Sequence, residues 1–223
     1  MMILVTGGTG FIGQVLIRHL LADEREVRTL LRPSRLTPEL PKGLPVEVAL
    51  ANINNERSMR AAVSGVDTIY HLVGGEWLGT GIDLAEIEIE GTKTLIEVAV
   101  EAGVERIVYI SHLGADRASA FPVMKVKGIV EEFIRRSGLK YTIIRSGLVF
   151  GPEDHFTTGL AKLMAVYPFF FFLPNPGDAL VQPVWVEDLA TILTWLLDNR
   201  ELDDQTVEVG GPEFLTIQQV AEE

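Results

Sequence analysis

The sequence predicts an α/β fold in which helices cover both faces of a parallel sheet. Short runs rich in valine and isoleucine alternate with segments of helical period, as in βαβ units. Strands are predicted over residues 2–6, 27–31, 46–50, 68–72, 106–111, 141–145 and 206–209. Helices are predicted over 10–22, 58–63, 84–102, 125–137, 158–166 and 186–198. Gly103 and Gly138 follow two of these helices and are expected to end them in the left-handed conformation.

A glycine-rich segment joins the first predicted strand to the first predicted helix. Its spacing is that of a turn that binds the pyrophosphate of a dinucleotide. One glycine allows the tight turn, one lets the backbone approach the pyrophosphate, and one lets the helix pack close to the strand. The helix N-terminus adds free N–H groups and positive partial charge. The sequence therefore predicts a Rossmann fold, a doubly wound parallel sheet that binds a dinucleotide. The predicted cradle consists of Gly7, Thr9, Gly10, Phe11, Ile12 and Gly13.

The end of the second predicted strand bears on the choice between NAD and NADP. In NAD sites a carboxylate about 20 residues after the glycines bonds the ribose hydroxyls. Here the strand is followed by Arg32, Ser34 and Arg35, with no carboxylate. Guanidinium groups bind phosphate in a bidentate manner, so NADP is the expected cofactor and NAD the alternative. That the arginines are solvated loop residues remains the competing interpretation.

Composition restricts the partners. The chain has 223 residues, a formal net charge of −12 and no cysteine. Nucleic acid is disfavoured because phosphate polymers are held by basic residues, and thiolate metal sites and disulfides are excluded. The apolar run 166–173 is shorter than the roughly 18 residues of a membrane span, and no basic leader precedes the first strand. We expect a cytoplasmic protein without metal that binds a small-molecule substrate or a partner protein. The oligomeric state is left open.

The alternation of strands and helices weakens after residue 151, where Pro, Phe and Gly become frequent. We predict an NAD(P)-binding domain over 1–151 and a small, irregular substrate-side part over 152–223, packed on the first. The run 167–173, with four consecutive phenylalanines, is expected to line a core or pocket, or to contact a partner if exposed.

Thr216 to Gln219 has the pattern of a capping box. Because few residues follow, the natural chain is expected to continue past Glu223.

Several motifs spread over nearly the whole chain belong to one pattern. They are the segments 6–13, 51–53, 71–74, 91–92, 109–111, 151–152, 186–188 and 210–212, with Lys127, Glu131 and Arg145. Together they resemble the extended and atypical short-chain dehydrogenase/reductases, above all the branch of the NmrA-like proteins and the nucleotide-binding accessory subunit of respiratory complex I. The resemblance implies NAD(P) binding and adds Asn52, Ile53, Leu72, Val73 and Gly74 to the expected cofactor contacts. Asn52 would bond the adenine or cap its own loop, and both alternatives stay open.

The resemblance also implies a catalytic unit of serine, tyrosine and lysine, in which the tyrosine four residues before the lysine is the acid/base. Ser111 matches the serine, and Lys127 matches the lysine that bonds the nicotinamide ribose. Val123 stands at the tyrosine position and cannot transfer a proton, and Glu88 replaces the family's asparagine. His112 would substitute as proton donor, because an imidazole is the side chain most suited to exchange a proton near neutral pH. Strand alternation, however, directs it away from Ser111 and favours a structural role.

Three functions follow from this mixture of present and missing residues. The first is an NADP-preferring oxidoreductase of unknown small-molecule substrate that uses Ser111 and Lys127. The second is a non-catalytic NAD(P)H-binding redox sensor, or an assembly or accessory protein of a respiratory complex. The third, a sugar-nucleotide epimerase or dehydratase, is weakened by Val123 because that chemistry also needs the tyrosine. The fold alone does not decide among them.

Overall fold

The computed structural model describes residues 1–32, 45–74, 85–166 and 178–222. Strands β1 to β11 are Met2–Thr6, Glu26–Leu31, Glu47–Leu50, Thr68–His71, Arg106–His112, Lys140–Ser146, Val149–Phe150, Leu180–Val181, Val184–Trp185, Gln205–Val209 and Leu215–Thr216. Helices α1 to α7 are Phe11–Ala22, Glu56–Val63, Gly91–Ala102, Pro122–Arg135, His155–Val166, Val186–Trp195 and Ile217–Glu222, and a π-helical segment, Ala85–Glu90, precedes α3. Ser34, Arg35 and the run 167–173 lie outside the described residues.

Seven of the described strands form one parallel sheet in the order β10-β6-β5-β4-β1-β2-β3. The chain begins at β1, adds β2 and β3 on one side, and then returns to build β4, β5, β6 and β10 on the other. The strand order therefore reverses between β1 and β4, where Val5 of β1 lies opposite Tyr70 of β4. The predicted doubly wound Rossmann sheet is confirmed. Ligands of such sheets bind at this reversal, beyond the carboxyl ends of the strands.

Each face of the sheet has its own hydrophobic core. Leu4 belongs to the core beneath α2, α3 and α4, with Leu95 and Val130. Ile3 belongs to the core beneath α1 and α6, with Leu16. Neighbouring strand residues enter different cores because successive side chains point to opposite faces. Burial on both faces explains the nearly continuous apolar character of the predicted strands.

The long helix predicted over 84–102 is divided into two parts. It begins as the π-helical segment and becomes α-helical at Gly91. At Gly91 a side chain would approach Ile53 to 2.9 Å, so the helix packs closely against the loop after β3. Gly103 ends α3 with a φ of 75°, and Gly138 has a φ of 82°, which confirms their left-handed conformation. The π-helical turn was not predicted, and it carries Glu88.

Residues after 151 contribute to the main sheet as well as to smaller structures. Strand β10 pairs with β6 at the edge of the sheet, and α6 packs on α1 through Val186 and Ala190 against Val15. Two short strand pairs, β7 with β9 and β8 with β11, were not predicted. The capping box is confirmed, because Thr216 and Gln219 exchange hydrogen bonds of 2.8 and 3.1 Å. In the described ranges, no helix has the length and apolarity needed to cross a membrane.

Candidate functional site

A cleft of about 490 Å³ opens at the carboxyl ends of the central strands. Its walls come from the glycine turn, the ends of β4 and β5, the start of α4, the segment after β6 and the start of α5. The lining residues are Gly7, Gly10, Phe11, Ile12, Gly13, Leu72, Gly74, Ile110, Ser111, His112, Val123, Met124, Lys127, Ser146, Gly147, Leu148, Val149, Asp154, His155 and Phe156. The cleft lies at the reversal of strand order, where a dinucleotide is expected to bind.

The glycine turn has the geometry of a phosphate cradle. Gly7 has a φ of 75°, and its carbonyl accepts a 2.9 Å hydrogen bond from the N–H of Gly10. A Cβ atom at Gly13 would lie 2.3 Å from the Gly7 carbonyl oxygen, so only glycine fits there. Among the described residues no side chain caps α1, and its first turn, which contains Phe11 and Ile12, has no acid. These features leave the N–H groups and the positive end of the helix available for a pyrophosphate.

The structure brings only some of the other predicted contacts into the cleft. Leu72 and Gly74, at and after the end of β4, form part of the wall. Val73 lies between them and packs, partly buried, against the core beneath α3. Thr9 is exposed, and its carbonyl accepts a 3.0 Å hydrogen bond from the Gln14 side chain. The contacts of these residues with a cofactor stay predictions.

The predicted adenine-side contacts lie at the ends of β2 and β3. Arg32 directly follows β2 and is exposed, and it makes no hydrogen bond or ion pair with any residue in the described ranges. The Asn52 side chain accepts a 3.1 Å hydrogen bond from the N–H of Asn54, so it caps its own loop in this structure. Ile53 is buried in the core. Of these three described residues, only Arg32 has a side chain that is both charged and exposed.

Ser111 and Lys127 meet in the cleft together with Val123. Ser111 lies near the carboxyl end of β5, and the other two lie four residues apart on α4, one helical turn from each other. Pro122 starts this helix, a position that suits its fixed backbone. The side chain at the tyrosine position thus reaches the cleft, but as a valine it has no proton to exchange.

The hydroxyl group of Ser111 is bonded to a buried carboxylate. Ser111 Oγ donates to Glu131 Oε1 at 2.6 Å. Arg145 donates to both carboxylate oxygens at 2.9 and 2.8 Å, and Arg135 adds a bond of 2.7 Å. Burial alone would raise the pKa of Glu131, but the hydrogen bonds from Arg145, Ser111 and Arg135 hold it below its usual value. Glu131 is therefore ionised, and the Ser111 hydroxyl is the donor in the hydrogen bond between the two side chains.

Lys127 has a carboxylate partner as well. Its Nζ lies 3.0 Å from Glu88 Oε2, and the two side chains are 6% and 2% exposed. The ammonium group also lies 5.5 Å from the centre of the Tyr109 ring, within the range of a cation–π contact. Glu88, which the resemblance places where the family has an asparagine, therefore sets a negative charge directly against the lysine. The sequence located both residues but not their contact.

Buried His71 supports the element that carries Glu88. Its ring nitrogens lie 2.7 Å from Thr6 Oγ1 and 2.9 Å from Thr92 Oγ1. Burial, and then the charge of Lys127, lower the pKa of His71 to about 3, so the ring is neutral. Thr92 Oγ1 donates in turn to the Glu88 carbonyl at 2.5 Å. These bonds link β1 and β4 to the π-helical turn, a role that the sequence did not suggest.

His112 lines the cleft beside Ser111, although strand alternation predicted that the two would point apart. His112 is the last residue of β5, where the strand gives way to a loop and alternation need not continue. Its Nδ1 lies 2.8 Å from the Leu113 carbonyl oxygen. Because a carbonyl only accepts, Nδ1 carries hydrogen and Nε2 is the nitrogen that can exchange a proton.

One apolar wall of the cleft was missed by the sequence interpretation. Met124, Leu148, Val149 and Phe156 line it from α4, the segment after β6 and α5. Residues 147–149 directly follow a parallel strand, so the rule that ligands bind beyond the carboxyl ends would have found them. Met124 and Phe156 carry no such signal, because the fold alone brings their helices to the cleft.

Residues 7–161, more than half of the chain, match a family model described as NAD(P)H-binding. The chain belongs to this NAD(P)H-binding family. The match begins at the glycine turn and extends into α5, so it includes Ser111, Val123 and Lys127. The predicted resemblance to the atypical short-chain dehydrogenase/reductases and the prediction of NAD(P) binding are both confirmed.

Relatives of known name extend the comparison. The mitochondrial NADH dehydrogenase [ubiquinone] 1 alpha subcomplex subunit 9 of Arabidopsis thaliana is 27% identical over 98% of this chain and 56% of its own length. A photosystem II assembly factor of Cyanophora paradoxa is 28% identical over 65% of this chain and 44% of its own. The chain thus spans about half the length of these relatives.

A solved structure, the UDP-glucose 4-epimerase of Thermotoga maritima, superimposes with a TM-score of 0.81. The alignment covers 100% of this chain and 81% of the epimerase at 23% identity. At this identity the likeness shows a shared fold and carries no statement about substrate.

Proposed function

We propose that this protein binds NADP(H) and acts through the bound nucleotide, as an accessory or assembly protein or a redox sensor, and not through turnover. The observation that carries the proposal is the state of the catalytic unit in the cleft. Val123 occupies the position of the acid/base, Ser111 donates to Glu131, and Lys127 is paired with Glu88. The proton-transfer residue of the family is therefore missing, and the two remaining residues are each bound to a carboxylate.

The direction of the Ser111 hydrogen bond supports this proposal. A serine that polarises a substrate carbonyl must donate its proton to the carbonyl oxygen. Here an ionised carboxylate, which only accepts, is the acceptor of the Ser111 hydrogen bond. Ser111 can then accept a hydrogen bond from a ligand but cannot activate a carbonyl without giving up the bond to Glu131. Epimerase chemistry needs the missing tyrosine too and is not proposed.

The names of two relatives connect them with large protein complexes. One is a subunit of a respiratory NADH dehydrogenase and the other is a photosystem II assembly factor. By analogy we propose a protein partner for this chain, bound in a manner that depends on the nucleotide. A bound NADP(H) would supply hydride chemistry, whereas the chain itself would hold the pyrophosphate at the glycine turn and the start of α1 and the nicotinamide half near Lys127.

The preference for NADP is proposed on Arg32. It follows β2 at the carboxyl edge of the sheet, on the adenine side of the glycine turn, and is exposed. We expect Arg32→Ala to weaken NADPH binding by about tenfold to 100-fold, the effect of one charged hydrogen bond, and NADH binding by less than about twofold. Fluorescence titration of both nucleotides measures the two changes.

Arg136→Ala is the matched control for Arg32→Ala. Arg136 is an exposed arginine that pairs with Glu132 just after α4, the helix that connects β5 to β6. The control removes the same charge and is expected to leave both affinities unchanged. Equal losses of NADPH and NADH in Arg32→Ala would show that the proposed 2′-phosphate contact is wrong.

The proposed absence of turnover is tested by stopped-flow oxidation of bound NADPH. Quinones, aldehydes and enones serve as acceptors, because they include the common classes that take up hydride from a nicotinamide. We expect bound NADPH to be oxidised no faster than free NADPH by every acceptor, since the described residues that line the cleft include no tyrosine to protonate a product. Faster oxidation that disappears in Lys127→Ala would overturn the non-catalytic proposal.

An NADP-dependent oxidoreductase is the second candidate, and His112 is the observation that favours it. The bond from Nδ1 to the Leu113 carbonyl fixes the ring so that Nε2 is the proton-exchanging nitrogen, in the same cleft as Ser111. In this candidate the imidazole takes the place of the tyrosine. Oxidation of NADPH that is lost in His112→Asn with unchanged NADPH affinity would establish it.

A further inference from the structure

The buried pair of Lys127 and Glu88 places two opposite charges at the nicotinamide end of the cleft. Only Lys127 contributes to the cleft wall, and Glu88 lies 3.0 Å from it in the interior. The pyrophosphate is expected at the glycine turn and the adenine half on the side of β2. The nicotinamide half is then directed to the other side, over β4 and β5, where Lys127 lies.

Both charges are held in place by well-packed elements. The Glu88 carbonyl accepts from Thr92, which is bonded to His71, so the π-helical turn is fixed to the sheet. Lys127 lies on α4, which packs closely at Gly128, where a Cβ would lie 2.3 Å from the Arg117 backbone nitrogen. The distance between carboxylate and ammonium therefore depends on the fold and not on flexible surface side chains.

A nicotinamide ring responds to such charges according to its redox state, because it carries a positive charge when oxidised and none when reduced. An uncompensated ammonium beside the ring would favour the reduced cofactor. The Glu88 carboxylate opposes this effect. We propose that Glu88 is a specificity-determining residue that shifts the affinity of the site toward the oxidised cofactor.

This inference deepens the proposed function, because the affinity ratio decides which redox form the protein carries. It rests on the binding of a nicotinamide cofactor near Lys127 and not on the absence of turnover or on the preference for NADP. If the protein proves to prefer NAD, the same charges act on NAD⁺ and NADH. Failure of the inference is thus distinct from failure of the proposed function.

The test is the ratio of the dissociation constants of NADP⁺ and NADPH, measured by calorimetry on the full chain. We expect Glu88→Gln to weaken NADP⁺ relative to NADPH by about tenfold, the effect of one charge about 10 Å away at an effective dielectric constant near 20. Lys127→Met should shift the ratio in the opposite direction, since it leaves Glu88 uncompensated. The double variant should return the ratio close to that of the wild type.

Glu90→Gln is the matched control. Glu90 belongs to the same π-helical segment, but its carboxylate is exposed and pairs with Lys93 at 2.7 Å. The ratio should not change in this variant. If Glu88→Gln does not fold, as judged by circular dichroism, the opposite shift of the affinity ratio in Lys127→Met still tests the inference. The inference would be overturned if the ratio of the two dissociation constants stayed within about twofold of the wild-type ratio in every folded variant of Glu88 and Lys127.

Discussion

Gly13→Ala is expected to lower the affinity for NADPH by about 100-fold and to destabilise the protein by about 1–3 kcal/mol. The added Cβ would lie 2.3 Å from the Gly7 carbonyl oxygen and 2.7 Å from the Gly8 Cα atom. Both are backbone atoms of the turn, so the turn itself must move. The same movement displaces the N–H groups that bind the pyrophosphate. Calorimetric titration with NADPH and thermal unfolding measure the two effects.

Gly159→Ala is the control for this substitution. Gly159 lies within α5, is exposed, and has open space around the position of an added Cβ. Alanine there should leave NADPH binding unchanged and stabilise the helix by up to about 1 kcal/mol. A Gly13→Ala variant that binds NADPH as tightly as the wild type would refute the assignment of the turn as the pyrophosphate cradle.

Glu131→Gln is expected to lower the free energy of unfolding by about 3 kcal/mol at pH 7. The fully buried carboxylate accepts hydrogen bonds from Ser111, Arg145 and Arg135, and its loss leaves the two guanidinium groups without their counter-charge. The partial exposure of both arginines keeps the effect at the lower end of the range for buried pairs. Urea denaturation followed by circular dichroism measures it.

The same variant should change how stability depends on pH. The pKa of Glu131 is lower in the folded protein than its unfolded value of about 4.3, so its contribution is complete above that value. It is lost as the pH falls through the folded-state pKa. The difference between wild type and variant should therefore be constant from pH 6 to 8 and shrink below about pH 4. A difference that persists undiminished at pH 3 would contradict this account.

Glu132→Gln separates the effect of the buried carboxylate from that of a general loss of charge. Glu132 is the neighbouring residue and pairs with Arg136, whose side chain is 73% exposed. Exposed ion pairs contribute little because water screens them and the side chains lose entropy. The control should change the free energy of unfolding by less than about 1 kcal/mol, with no matching pH dependence.

Local patterns were sufficient to predict the main sheet. Seven predicted strands agree with the observed ones to within one residue at each end, because strands buried on both faces are recognisable apolar runs. The strands of two residues, such as β7 and β9, were not predicted. Their pairing depends on contacts between segments far apart in the chain, and two residues carry no periodicity.

The candidate site was predicted as a set of residues but not as a network. The glycine turn was found from its spacing, whereas Ser111, Lys127 and the absence of a tyrosine at Val123 were predicted from the resemblance to a family whose motifs are a few residues long. The partner of Ser111 lies 20 residues away and that of Lys127 lies 39 residues away in the sequence. No local spacing indicates such contacts.

The amino-acid sequence by itself therefore determined the Rossmann fold and the dinucleotide turn, and its resemblance to a known family predicted the loss of the acid/base at Val123. These properties depend on residues that are neighbours in the chain. Only the tertiary structure decided that Glu131 accepts the Ser111 hydrogen bond, that Glu88 pairs with Lys127, and that His112 lines the cleft. The physical reason is that ionic and hydrogen-bonding contacts act over a few ångströms in space, and the packing of α4 and the π-helical turn on the sheet sets which groups come that close.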